Sequence, residues 1–90
     1  MLDDLGGAAD ALAEAERLAA ATGDADALAR VHLQRGNLLF PKGDLDGCLR
    51  EHRVSLQLAR KAHSIEIEAA AQGGIGDAEY LRGRMVSAHA

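Results

Sequence analysis

Arg35-Gly36-Asn37-Leu38-Leu39-Phe40-Pro41-Lys42-Gly43-Asp44-Leu45-Asp46-Gly47-Cys48-Leu49 holds a helix end, a corner and a helix start within one short stretch. Pro41 has no backbone N–H and its ring clashes with the preceding turn, so a helix entering from Gly36 stops near it. Gly43 can take the left-handed cap conformation, and Asp44 places a carboxylate where the first free N–H groups of a new helix need an acceptor. On either side of this corner sit Gly36 and Cys48, small residues that let two helices approach closely if the chain folds back on itself. The stretch therefore predicts an antiparallel helix pair, its helices covering about residues 25–40 and 45–62. The second has a clear stripe of Leu45, Cys48, Leu49, His52, Leu56 and Ala59, leaving Asp46, Arg50, Arg53, Gln57 and Arg60 for water.

The same grammar extends outward. Residues 5–21 place Leu5, Ala8, Ala9, Leu12, Ala15 and Ala19 on one face, and Thr22-Gly23-Asp24 forms a second Gly-Asp corner. His63-Ser64 breaks the chain again. Ser64, Glu66 and Glu68 then give a capped, acid-first start to a fourth helix expected to reach Arg82. Gly83 is expected to end it, with Met85 to Ala90 opening a fifth.

These corners repeat. Shifted by 40 residues, Asp4 falls on Asp44, Leu5 on Leu45, Gly7 on Gly47, Leu18 on Leu58 and Ala19 on Ala59. Ala29 meets Ala69, Gly36 meets Gly76 and Gly43 meets Gly83, joined by Asn37 with Asp77, Phe40 with Tyr80, Leu45 with Met85 and Cys48 with Ala88. Matches that collect at corners and close-contact positions mark a structural repeat. In this pattern Gly36 and Gly76 would admit the paired helix, with Cys48 and Ala88 as small counterparts across the hairpin.

The middle unit, with Gly36-Asn37, Phe40, Gly43-Asp44 and Cys48, resembles the tetratricopeptide repeat, and Gly76-Asp77, Tyr80, Gly83 and Ala88 repeat its spacing. The period exceeds the usual 34. It is similar to the extended subclass of Leu-Gly-Asn repeat adaptors and of the helical sensor regions of large bacterial ATPase and cyclase regulators. Arg35, where Leu is usual, and Glu16, whose repeat mate is Leu56, depart from the pattern. The resemblance implies an all-α chain of antiparallel hairpins stacked as a short right-handed superhelix. Residues 1–24 would be the second helix of a partial repeat, 25–64 a complete repeat, and 65–90 a first helix with the start of its partner. It further implies a concave groove lined by first helices: Arg30, Leu33, Gln34, Asn37 and Phe40 on one, Ala70, Asp77, Tyr80 and Leu81 on the next. Asn37 and Asp77 would bond a peptide backbone, with Phe40 and Tyr80 as anchors.

Composition excludes other classes. The chain has 90 residues, 48% hydrophobic and only 2% aromatic, with one proline, which suits Ala- and Leu-packed helices. A net charge of −4 is the wrong sign for nucleic acid. Acidic residues crowd the first 28 positions, where Arg17 is the lone base. No apolar run approaches a membrane span, the N-terminus lacks the look of a signal peptide, and a single cysteine fits a reducing, cytoplasmic setting.

Candidate chemistry is sparse. Cys48 and His52 stand four apart, as two metal ligands could, but their mates are Ala8, Ala88 and Leu12, so core packing is expected and no metal. His32 and His63 are read as surface or partly packed, with nothing converging on them. Gly73-Gly74-Ile75-Gly76 lacks the Lys-Ser/Thr of a phosphate loop and any preceding strand; Gly73 and Gly74 are read as a close helix contact or a hinge. Ser55, Ser64 and Ser87 have no nucleophile context, and Asp24, Asp26, Glu66 and Glu68 sit at helix starts where the dipole explains them.

No enzyme and no cofactor are expected. The leading reading is a module that binds a protein or peptide segment. Its alternative is a structural or signal-relay fragment of a larger multidomain regulator with no ligand of its own. Because a repeat cannot bury its apolar face alone, Leu5, Leu12, Ile75 and Leu81 are expected to lack cover on one side, so the chain is expected either to self-associate through uncapped ends or to be a fragment of a longer array.

Overall fold

Four α-helices follow one another: α1 Leu2–Thr22, α2 Ala25–Leu39, α3 Leu45–Lys61 and α4 Ile65–His89. The computed structural model describes residues 2–89, and the side-chain surroundings of residues 7–85. No strand occurs among the described residues, and none of their helices is long and apolar enough to cross a membrane.

Each corner is built as its residues dictate. Gly23 and Gly43 adopt φ of +69° and +80°, the left-handed region that glycine enters without a Cβ penalty. Asp24 accepts from the Ala27 N–H at 3.1 Å and Asp44 from the Gly47 N–H at 2.8 Å, capping α2 and α3. Gly47 is required there, because a Cβ would stand 2.5 Å from the Asp44 carboxylate. The third corner turns at His63, which takes φ +57° without being glycine, and Ser64 Oγ accepts from the Ile67 N–H at 3.4 Å.

Successive helices run antiparallel. Along α2 and α3, Ala29 lies by Ser55 and Ala59, while Gly36 lies by His52 and Phe40 packs on the cluster that holds Leu45, Cys48 and Leu49. Along α3 and α4, Arg60 pairs with Glu68, His52 meets Gly74, and Asp46 pairs with Arg82. α2 also touches α4 directly, whereas α1 and α3 share no contact among the described residues. The chain forms a slab of 47 × 34 × 16 Å. Its thickness is close to that of two helices stacked at about 8–10 Å with Cα radii of about 2.3 Å.

The core has two apolar clusters. Leu45, Cys48, Leu49 and Ala78 form one, flanked by Leu39, Phe40 and Ile75; Ala29, Ala59 and Ile67 form the other, flanked by Leu33 and Leu58. His52 is buried on the same face of α3, with 1% of its surface exposed. A Cβ on Gly36 would stand 2.8 Å from its Nε2, and one on Gly74 only 2.5 Å, so the imidazole is clasped by bare backbone from α2 and α4. Beside it, the buried Ser55 hydroxyl donates to the Ala29 carbonyl at 2.8 Å.

Several expectations change. α4 passes through Gly83 unbroken to His89, so no corner follows Arg82 and no fifth helix begins at Met85. Gly83 is not among the positive-φ glycines, and Arg84 follows it where Asp44 follows Gly43, so the capping carboxylate is missing. Gly36 faces His52 and not Cys48, and Gly76 is exposed with nothing near its missing Cβ. Ala88 lies outside the residues whose surroundings are described. α4 buries Ile67, Ala71 and Ala78 instead, and with the half-buried Gly74 they form the stripe that packs on α3. Leu12 is covered by α2, and Ile75 is half-buried.

The glycines therefore separate by experiment. Gly74→Ala overpacks a ring that cannot leave one glycine without striking the other, and should cost about 1–3 kcal/mol in urea denaturation. Gly76→Ala, exposed in the same helix, should gain about 0.8–1 kcal/mol from helix propensity. Burial also lowers the His52 pKa below the ordinary histidine value, against an opposing pull from Glu51. The unfolded chain then binds this proton more readily than the folded one, so stability is full above the unfolded pKa and falls as pH drops through it. Melting temperature should decline from about pH 7 to about pH 5, and His52→Leu should flatten that slope.

Candidate functional site

Two constellations lie on α1–α2, one charged and one concave. The charged one joins three helices. His32 Nδ1 lies 2.7 Å from Glu51 Oε1 on α3, and His32 Nε2 lies 3.6 Å from Glu16 Oε2 on α1. Arg35 reaches Glu16 at 2.9 Å and Glu51 at 3.9 Å. Thus the expectation that nothing converges on His32 is corrected: two carboxylates do. The departures Arg35 and Glu16 are partners of opposite charge, which explains both.

The concave one is a cleft of about 350 Å³ between α1 and α2, lined by Ala8, Ala11, Leu12, Gln34, Asn37 and Leu38. Its walls are apolar, and the exposed Gln34 and Asn37 bring two amides to it. An apolar cavity with a few polar groups is the usual character of a binding site. A 40-residue offset relates it to the α3–α4 contact. Shifted by 40 residues, Leu12, Gln34 and Leu38 become His52, Gly74 and Ala78, the residues across which α3 and α4 close tightly. Where α4 has Gly74, α2 carries the Gln34 side chain, and α1 cannot come as near.

The residues expected to line one groove are dispersed. Gln34 and Asn37 line the cleft. Arg30 is exposed and pairs with Asp26 at 3.1 Å, one turn earlier on its own helix. Phe40 is half-buried against the Leu45–Cys48–Leu49–Ala78 cluster, and Leu33 against the other. Asp77, Ala70 and Leu81 are exposed on α4. Tyr80 is 66% exposed, with the Arg84 guanidinium 5.8 Å from its ring centre. Phe40 and Tyr80 differ because the corner that tucks Phe40 inward has no counterpart after Tyr80. Ala8, Ala11, Leu12 and Leu38 were not anticipated as a site, since each reads as ordinary helix packing.

Cys48 is fully buried. Burial, then the Asp44 and Asp77 carboxylates, push its thiol above the ordinary value, holding it protonated and a poor nucleophile or metal ligand. No group of three or more His, Cys, Asp or Glu residues arranged to hold a metal occurs among the described residues. Comparison of the chain with protein-family models, curated proteins and solved structures finds no match.

The charged cluster is tested by a double-mutant cycle. Arg35→Leu alone leaves Glu16 and Glu51 without their shared guanidinium, and Glu16→Leu alone leaves Arg35 half-buried with one distant carboxylate. Each should destabilise by about 1 kcal/mol, and the double variant by clearly less than the sum, since partly buried hydrogen-bonded pairs couple. Additive losses in denaturant titration would mean that the two departures are independent.

Proposed function

We propose that this chain is a tetratricopeptide-like protein–protein interaction module, and that it binds a protein segment in the α1–α2 cleft. The cleft carries the reading: an apolar recess of side-chain size beside two amides able to bond a peptide backbone. Its walls come from two helices held by the ion pair of Glu16 and Arg35, so the site is presented on regular elements instead of a loop. The 40-residue recurrence of corners and the direct contact of α2 with α4 support a stacked array as the scaffold, and the tetratricopeptide resemblance implies its right-handed twist. Within this reading the protein works in the cytoplasm as a scaffold or adaptor, without a cofactor and without catalysis.

Selection of displayed peptides against the 90-residue protein tests it. Selected peptides should share one aromatic or branched apolar anchor. On titration they should shift the backbone amide resonances of Ala8, Ala11, Gln34, Asn37 and Leu38 and leave those of Arg53 and Gln57 unchanged. Leu38→Trp, which fills the recess, should weaken binding at least about tenfold, and Asn37→Ala by a few-fold, the value of about one hydrogen bond. Peptides that shift only α3, or that ignore Leu38→Trp, would overturn the assignment.

A further inference from the structure

We infer that the α1–α2 cleft receives Tyr80 from a second copy of this chain, whose α4 lies along α1. This inference rests on the cleft being a protein-binding site and names its occupant.

The chain carries its own template for the contact. Phe40, at the end of α2, packs on the cluster of Leu45, Cys48, Leu49 and Ala78. Shifted by 40 residues, Phe40 becomes Tyr80, while Leu45, Cys48, Leu49 and Ala78 correspond to Leu5, Ala8, Ala9 and Leu38. Ala8 and Leu38 are walls of the cleft. The recess is thus the place that the counterpart of Phe40 would fill, and that counterpart stands two-thirds exposed on α4.

The correspondence continues along both helices. α2 turns Ala29 and Gly36 to α3 and buries them; their counterparts on α4, Ala69 and Gly76, are exposed. α3 turns Glu51, Ser55 and Leu58 inward, and their counterparts on α1 are Ala11, Ala15 and Leu18, all exposed, Leu18 by 54%. Where Ser55 approaches Ala29 closely enough to hydrogen-bond its carbonyl, the docked pair would set Ala15 against Ala69, two small residues that permit equal closeness. Antiparallel docking lays the N-terminal half of α1 beside a half of α4 whose charges balance, Asp77 and Glu79 against Arg82 and Arg84, so small residues and the aromatic anchor carry the contact rather than net charge. The two faces lie on different helices of each copy, so the contact is heterologous and adds copies head to tail.

Sedimentation equilibrium over a concentration series tests this with two exposed-site variants. Tyr80→Ser removes the anchor and keeps the cleft; Ala11→Trp obstructs the cleft and keeps the anchor. Circular dichroism should show both as helical as the wild type. The wild-type weight-average mass should climb with concentration past twice the 9.4 kDa chain mass. Each variant alone should stay monomeric over that range, and an equimolar mixture, with one working cleft and one working anchor, should rise to twice the chain mass and stop. A wild type that remains monomeric throughout, or an assembly unaffected by Tyr80→Ser, overturns the proposal. If that monomer still binds selected peptides in a Leu38-dependent way, the cleft has a different occupant; if it binds none, the cleft reading falls too.

Discussion

The imidazole of His52 sets the spacing of three helices. It projects from α3 into a slot whose two sides are the bare backbones of α2 at Gly36 and α4 at Gly74. A flat ring between two glycines lets α2 and α4 both approach α3 closely, where a methyl group at either position would strike the imidazole, and α2 and α4 also touch each other. The slot has a chemical condition. His52 Nδ1 is buried with no hydrogen-bond partner among the described residues, and burial holds the ring in its neutral form. Placing a charge there would expose the full penalty of removing it from water. The apolar clusters on either side, and the Ser55 bond to Ala29, are arranged around that fixed separation.

α1 joins the stack under different terms. Its counterpart of His52 is Leu12, and α2 meets it with Gln34 where α4 has glycine. What holds α1 is therefore more electrostatic: Glu16 bonds Arg35 at 2.9 Å, and His32 and Glu51 carry the connection on to α3. Partly exposed pairs of this kind contribute on the order of 1 kcal/mol or less each, and position as much as they stabilise. One consequence is the cleft. The same repeat unit closes over a ring when glycine is present and opens into a recess when glutamine is. On the proposed reading, binding capacity arises where the repeat is least faithful to its own packing.

Much was legible from residue order because it depends on local chemistry. The corners at Gly23-Asp24 and Gly43-Asp44, the helix lengths before α4, and the buried stripe of α3 all follow from capping and periodicity within a few residues. The opposite charges of Glu16 and Arg35 were visible as departures, though not as partners. Gly74 reads from residue order as a close helix contact or a hinge, beside a Gly76 that the repeat assigns to a close contact as well. The structure separates the two: Gly74 makes the close contact and Gly76 makes none. Their positions two apart on a helix point them about 200° apart, and only the neighbour actually present decides which is buried.

Residue order determined that this chain is helical, where three of its corners fall, and most of the inward stripe of α3, though not the buried Ser55, because caps and a 3.6-residue period act over a turn or two. It misjudged Gly83, where a glycine without a following carboxylate lets the helix continue to His89. Tertiary structure alone decided that a histidine would be the spacer, that Phe40 would be tucked in while Tyr80 stayed out, and that α1 and α2 would part into a cleft. Each of these depends on the separation of two helix axes. That separation is set by the bulkiest residue at a contact, often tens of positions away along the chain, and no local pattern of caps or periodicity contains it.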